Sequence, residues 1–141
     1  MKHNVIISVG SFNAALAIAL GAFAAHGLEN RLDERSLEVF HTAADFHLWH
    51  ALGIILVGII AKISTKENFS PIAVLMNLGI ILFCGSLYVL STTGIKWLGM
   101  ITPLGGTAFI VAWLWLTWKS LRNHEKTWRA GISTNYNSGC R

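Results

Sequence analysis

Three stretches of the chain, 4–25, 68–95 and 97–118, contain no charged side chain. Each is continuously apolar rather than alternating in steps of two, which predicts helices and argues against a transmembrane barrel. The hydrocarbon core of a bilayer is about 30 Å thick and takes about 20 helical residues at about 1.5 Å each. Backbone groups find no water there, so runs of this length must pair internally as helices. The pattern predicts membrane spans over about 5–25, 71–94 and 97–118.

A further span is required between the first two, and it is atypical. Only 51–61 is free of ionisable side chains, which is too short to cross. To reach about 20 residues and end on Lys62, whose ammonium can snorkel to the headgroups, the helix must occupy about 43–62. It then carries Asp45, His47 and His50 into the membrane. Ionisable groups inside a span are costly and mark a candidate site. The expected fold is an all-α integral membrane four-helix bundle. It forms one domain over 1–118, followed by a basic cytoplasmic tail over 119–141.

Composition agrees with this reading. The chain is 53% hydrophobic and 13% charged, about half the charge of a soluble domain, and far too apolar for a disordered chain. Lys and Arg set the orientation. Eight of them (Lys2, Lys62, Lys66, Lys119, Arg122, Lys126, Arg129 and Arg141) fall at the N-terminus, in the loop 62–70 and in the tail, against Arg31, Arg35 and Lys96 in the other loops. Both termini are therefore expected in the cytoplasm, with the protein in the inner (plasma) membrane. The basic tail then lies beside anionic lipid, and nucleic acid is not expected as a partner. Trp113, Trp115, Trp118 and Trp128 read as an inner aromatic belt, and Trp49 and Trp97 as an outer one.

The connections carry weaker signals. Residues 27–42 mix Leu32, Leu37, Val39 and Phe40 with charges, which predicts a short amphipathic helix on the outer surface, capped at Asn30. The last helix is expected to run on to about Trp128 and to fray from Gly131. Lys2, the apolar run and Ala22-Phe23-Ala24 also fit a cleavable signal sequence. The run is longer than a usual signal core, however, and Gly10, Ala14, Gly21 and Ala25 have the small-residue spacing of packed membrane helices. Cys84 falls mid-span and Cys140 in the tail, so they are read as free thiols.

Several motifs together resemble a known family. Residues 21–28 (GAFAAHGL), 42–52 (TAADFHLWHAL), 82–90 (LFCGSLYVL) and 101–109 (ITPLGGTAF) follow one another as in the small four-helix membrane proteins classed as domain of unknown function 423. The resemblance covers roughly 5–118. It implies four helices and a multi-pass membrane location, and no activity. Ala24 stands where that family more often has Gly, and His41 and His47 stand where it also has other polar residues, which speaks against all the histidines acting together.

Depth arithmetic defines a candidate site. At about 1.5 Å per residue, His50 is expected about 10 Å into the membrane from Ala43, and Tyr88 about 9 Å from Gly94. Thr102 and Pro103 lie at a similar depth, with His47, Asp45 and His26 above them. Pro103 cannot donate to the Gly99 carbonyl, which suggests a broken helix and a free acceptor in this layer.

Three readings of the layer remain open. In the first, His50, Tyr88 and the Gly99 carbonyl hydrogen-bond across helices and fix the register. In the second, His47 and His50, three residues apart on one helix face, hold a metal or haem; two histidines alone are a weak ligand set. In the third, the layer serves proton-coupled transport or binds a small apolar, quinone-like ligand, since a histidine titrates near neutrality and a broken helix is a transporter feature. No phosphate loop, nucleophile elbow or HExxH motif is present. The sequence therefore favours a non-enzymatic interaction or accessory protein without a cofactor, its partners being the bilayer and another membrane protein or a second copy of itself.

Overall fold

The computed structural model describes residues 2–64 and 68–138, with side chains of the last helix described as far as Arg122. Its helices are α1 (His3–Phe23), α2 (Glu34–Ile63), α3 (Ser70–Gly79), α4 (Gly85–Thr93) and α5 (Thr102–Ser138). A π-helical turn, Ala24–Leu28, extends α1, and a second, Ile80–Cys84, joins α3 to α4 as one rod. Among the described residues four helices are long and apolar enough to cross a membrane: His3–Leu28, Glu34–Ile63, Ser70–Thr93 and Lys96–Arg122.

Local chemistry sets the helix ends. The Asp33 carboxylate accepts the Ser36 backbone N–H at 2.7 Å and caps α2. Residues 34–42 are therefore the first turns of α2, not a separate surface helix capped at Asn30. The cap satisfies one of the amide donors that a helix start leaves unpaired. Asn68 Oδ1 accepts the Ser70 N–H at 3.0 Å at the start of α3, with Pro71 in the first turn. Gly94, at φ 70°, ends α4 in the left-handed region where a side chain would be strained.

The last span departs most from expectation. Lys96–Met100 forms a short 3-10 turn and α5 begins at Thr102. Pro103 thus stands in the first turn of a helix, where its missing N–H would have no partner anyway. It lies where the Lys96–Arg122 span changes from a 3-10 turn to an α-helix, and does not interrupt α5. At the other end α5 remains helical to Ser138 rather than fraying from Gly131. The side chain of Trp128 and the whole of Cys140 lie outside the described residues.

Packing is closest where glycine removes side chains. A Cβ on Gly10 would lie 2.7 Å from Ile55 Cγ1 and 2.9 Å from Ile55 N, so α1 and α2 touch backbone to backbone. α2 packs on its other side against the α3–α4 rod, and the rod packs against α5. The core between them holds Ile6, Ile54, Val57, Phe69, Ile72, Met76 and Phe109. At the end where α1 meets α2, a smaller cluster of Ala24, Leu28 and Phe40 packs beneath Tyr88.

Candidate functional site

The predicted polar layer separates into three groups. The first is a chain of side chains across the bundle. His47, 3% exposed, sits on α2 between two partners. Its Nδ1 is 3.4 Å from Tyr88 Oη on α4, and its Nε2 is 3.1 Å from Asn13 Oδ1 on α1. Asn13 Nδ2 donates to the Val9 carbonyl at 2.8 Å and to Asn77 Oδ1 on α3 at 3.3 Å.

These partners fix the protonation pattern. The Val9 carbonyl can only accept, so the amide nitrogen of Asn13 faces it and Oδ1 faces His47. His47 Nε2 must then carry the proton and donate it to Asn13. In the neutral ring Nδ1 is left to accept from the Tyr88 hydroxyl. A neutral histidine thus makes both of its bonds. Asn77 and Tyr88 are eleven residues apart on one rod, so the chain extends over about 16 Å of depth.

The second group surrounds His50, 7% exposed. It was expected to meet Tyr88 and the Gly99 carbonyl. Instead Nδ1 donates to the Phe46 carbonyl one turn earlier at 2.7 Å. The ring stacks on Phe109 of α5, with centroids 3.4 Å apart and planes 16° apart, and Phe46 lies nearly parallel at 6.0 Å. This ring lines a cleft of about 400 Å³ between α2 and α5, together with Phe46, Gly106, Phe109, Ile110, Trp113 and Leu114. Trp113 lines this cleft, and its ring lies 3.0 Å from the Cβ position of Gly53.

The third group joins the α3–α4 rod to α5. Thr102 Oγ1 and Ser86 Oγ are 3.0 Å apart, and the Ser86 hydroxyl donates to the Phe83 carbonyl at 2.9 Å. Thr102 Oγ1 in turn reaches the Leu98 carbonyl at 3.5 Å, so each hydroxyl faces one backbone acceptor and either can donate to the other.

Asp45 and His26 are exposed, as is His41, and the structure brings none of them to the two buried histidines. No group of three His, Cys, Asp or Glu side chains converges on one point among the described residues. Asn13 was missed by the sequence reading. The available signal was a primary amide inside an uncharged run, a costly group that needs a partner. Among the described residues no side-chain nitrogen or oxygen that is wholly shut off from the surface lacks a hydrogen bond.

The model of a family described as "Protein of unknown function (DUF423)" matches residues 20–106. The chain belongs to this family. It is 50% identical over 111 residues to the UPF0382 membrane protein YwdK of Bacillus subtilis, covering 78% of this chain and 90% of that one. A UPF0382 membrane protein of Staphylococcus saprophyticus is 45% identical over 112 residues, covering 79% and 92%. One from Staphylococcus epidermidis is 39% identical over 118 residues, covering 84% and 96%. No solved structure matches the chain. The family is described only as of unknown function and these relatives are named only as membrane proteins, in keeping with the four membrane-length helices.

Proposed function

We propose that this DUF423 protein is non-enzymatic and works by lateral association in the inner membrane, both termini in the cytoplasm, as an accessory or interaction subunit. The observation that carries this reading is the outward face of α1. Opposite the side that packs on α2 through Ile6, Gly10 and Ala17, α1 exposes Asn4, Ser8, Ser11, Ala15, Ala19 and Ala22. A helix facing only lipid gains nothing from small side chains. A helix facing another helix gains close backbone approach and hydroxyl contacts.

The interior supports the same division. Asn13, Asn77, His47 and Tyr88 are engaged with one another inside the bundle, which suits a rigid scaffold that works through its outside. The transporter reading has lost its broken helix, since Pro103 opens α5. The ligand-binding reading is favoured by one observation, the cleft beside His50.

Purification from native membranes in mild detergent tests the proposal. A second polypeptide, or a second copy of the chain, should accompany the wild type and be lost with Ser11→Leu and Ala15→Leu. Recovery that is unchanged by those bulky side chains would reject it.

A further inference from the structure

Apart from the Trp113 indole N–H, the cleft beside His50 is apolar except at one point. Phe46, Phe109 and Trp113 form aromatic walls, and Gly106 leaves the floor without a side chain. Ile110 and Leu114, 60% and 64% exposed, stand at its rim, so the opening is toward the bilayer. Phe109 lies seven residues into α5, about 10 Å from the helix start, which puts the cleft within the hydrocarbon region. Its volume of about 400 Å³ is in the range of small-molecule sites, which are typically apolar with a few placed polar groups.

His50 is that polar group, and its protonation is determined by its neighbour. The Phe46 carbonyl at 2.7 Å accepts the Nδ1 proton. In the neutral ring Nε2 is then an acceptor. This nitrogen makes no hydrogen bond among the described residues, while the ring is more than nine-tenths buried and lines the cleft. Stacking on Phe109 prevents the imidazole from swinging out to find a partner.

We infer that this cleft binds a membrane-dissolved aromatic molecule carrying a hydroxyl, a phenol or hydroquinone-type lipophile, whose O–H donates to His50 Nε2 while its ring packs between Phe46, Phe109 and Trp113. The inference rests on the ligand-binding reading and narrows it. An acceptor nitrogen selects a donor, so the matching carbonyl compound of the same shape is disfavoured. Entry is lateral, past Ile110 and Leu114, without passage through water.

Equilibrium dialysis of 1-naphthol and 1-methoxynaphthalene against the full chain in lipid bicelles tests this. 1-Naphthol should bind saturably, and roughly three- to tenfold more tightly than the methyl ether, the range expected of one neutral hydrogen bond. His50→Phe, which keeps a stacking ring, should reduce 1-naphthol to the level of the ether. Ile110→Trp fills the cleft from its exposed rim and should abolish binding of both, which keeps the test decisive if His50→Phe fails to fold. Equal affinity of the two probes for the wild type would overturn the hydroxyl assignment while leaving a binding cleft. Absence of saturable binding, or binding unaffected by Ile110→Trp, would overturn the site itself.

Discussion

His47 Nε2 meets Asn13 Oδ1 at 3.1 Å, joining α2 to α1 inside the membrane region. The contact is one link in Tyr88–His47–Asn13–Asn77, which ties together α1, α2 and both halves of the α3–α4 rod. In lipid there is no hydrophobic drive between helices, so packing and such bonds must hold them together. The first prediction follows. His47→Leu leaves Asn13 Oδ1 and the Tyr88 hydroxyl without partners and should destabilise the fold by about 1–3 kcal/mol. The coupling between Asn13→Ala and His47→Leu in a double-mutant cycle should be about 0.6 kcal/mol, the average for membrane hydrogen bonds. Reversible unfolding in mixed micelles measures both; strict additivity would mean that the contact contributes nothing.

The α3–α4 rod meets α5 at Gly105, whose Cβ position falls on the backbone of Phe83. A side chain there cannot be relieved by a rotamer change, because the obstacle is main chain. Gly105→Ala should cost about 1–3 kcal/mol, in the range of overpacked cores. Gly85→Ala is the control, since its Cβ would meet nothing within 4 Å. It should be neutral or stabilising by up to about 1 kcal/mol through helix propensity. Unfolding midpoints of the two variants should move in opposite directions or differ clearly.

Asp33 gives the pH prediction. The Ser36 backbone N–H holds its carboxyl below the ordinary value of 3.8, with the Ser36 side chain and Arg35 adding to the effect. Because the folded value is depressed, the cap supports α2 at pH above that ordinary value, and the support is lost as pH falls through the folded one. A carboxyl-carbon NMR titration should place the Asp33 midpoint below 3.8. Asp33→Asn should keep the cap and abolish the acid-dependent loosening of the first turn of α2. An Asp33 midpoint at or above the ordinary value would contradict the assignment.

The spans were legible because a bilayer imposes a length and removes charge, and both are visible in the order of residues. The partner of Tyr88 was not. A π turn holds one more residue than an α turn, so Ile80–Cys84 rotates everything after it by about 100° relative to a regular helix. Tyr88 and His50 were matched by depth alone, which does not say which way a side chain faces, and Tyr88 meets His47 instead. Pro103 was misplaced for a related reason: the 3-10 turn at Lys96–Met100 uses residues that depth counting had assigned to the helix. Asn30 and Asp33 are both chemically competent caps, and α2 begins after Asp33 with Glu34 and Arg35 exposed in its first turn. Asn77, like Asn13 a primary amide inside an uncharged run, bonds between helices to Asn13.

On the proposed function, the bundle is held from inside by paired polar groups and acts through the outer face of α1. Site-specific photo-crosslinking along α1 in native membranes tests this most directly, with the probe placed in turn at Ser8, Ser11, Ala15, Ala19 and Ala22, and at Val5, Phe12 and Leu16 on the flank. The account predicts protein adducts from the small-residue row and markedly weaker ones from the flank, with a helical period of about 3.6 residues. Adducts of equal strength around the exposed surface, or none to protein from the small-residue row, would contradict it.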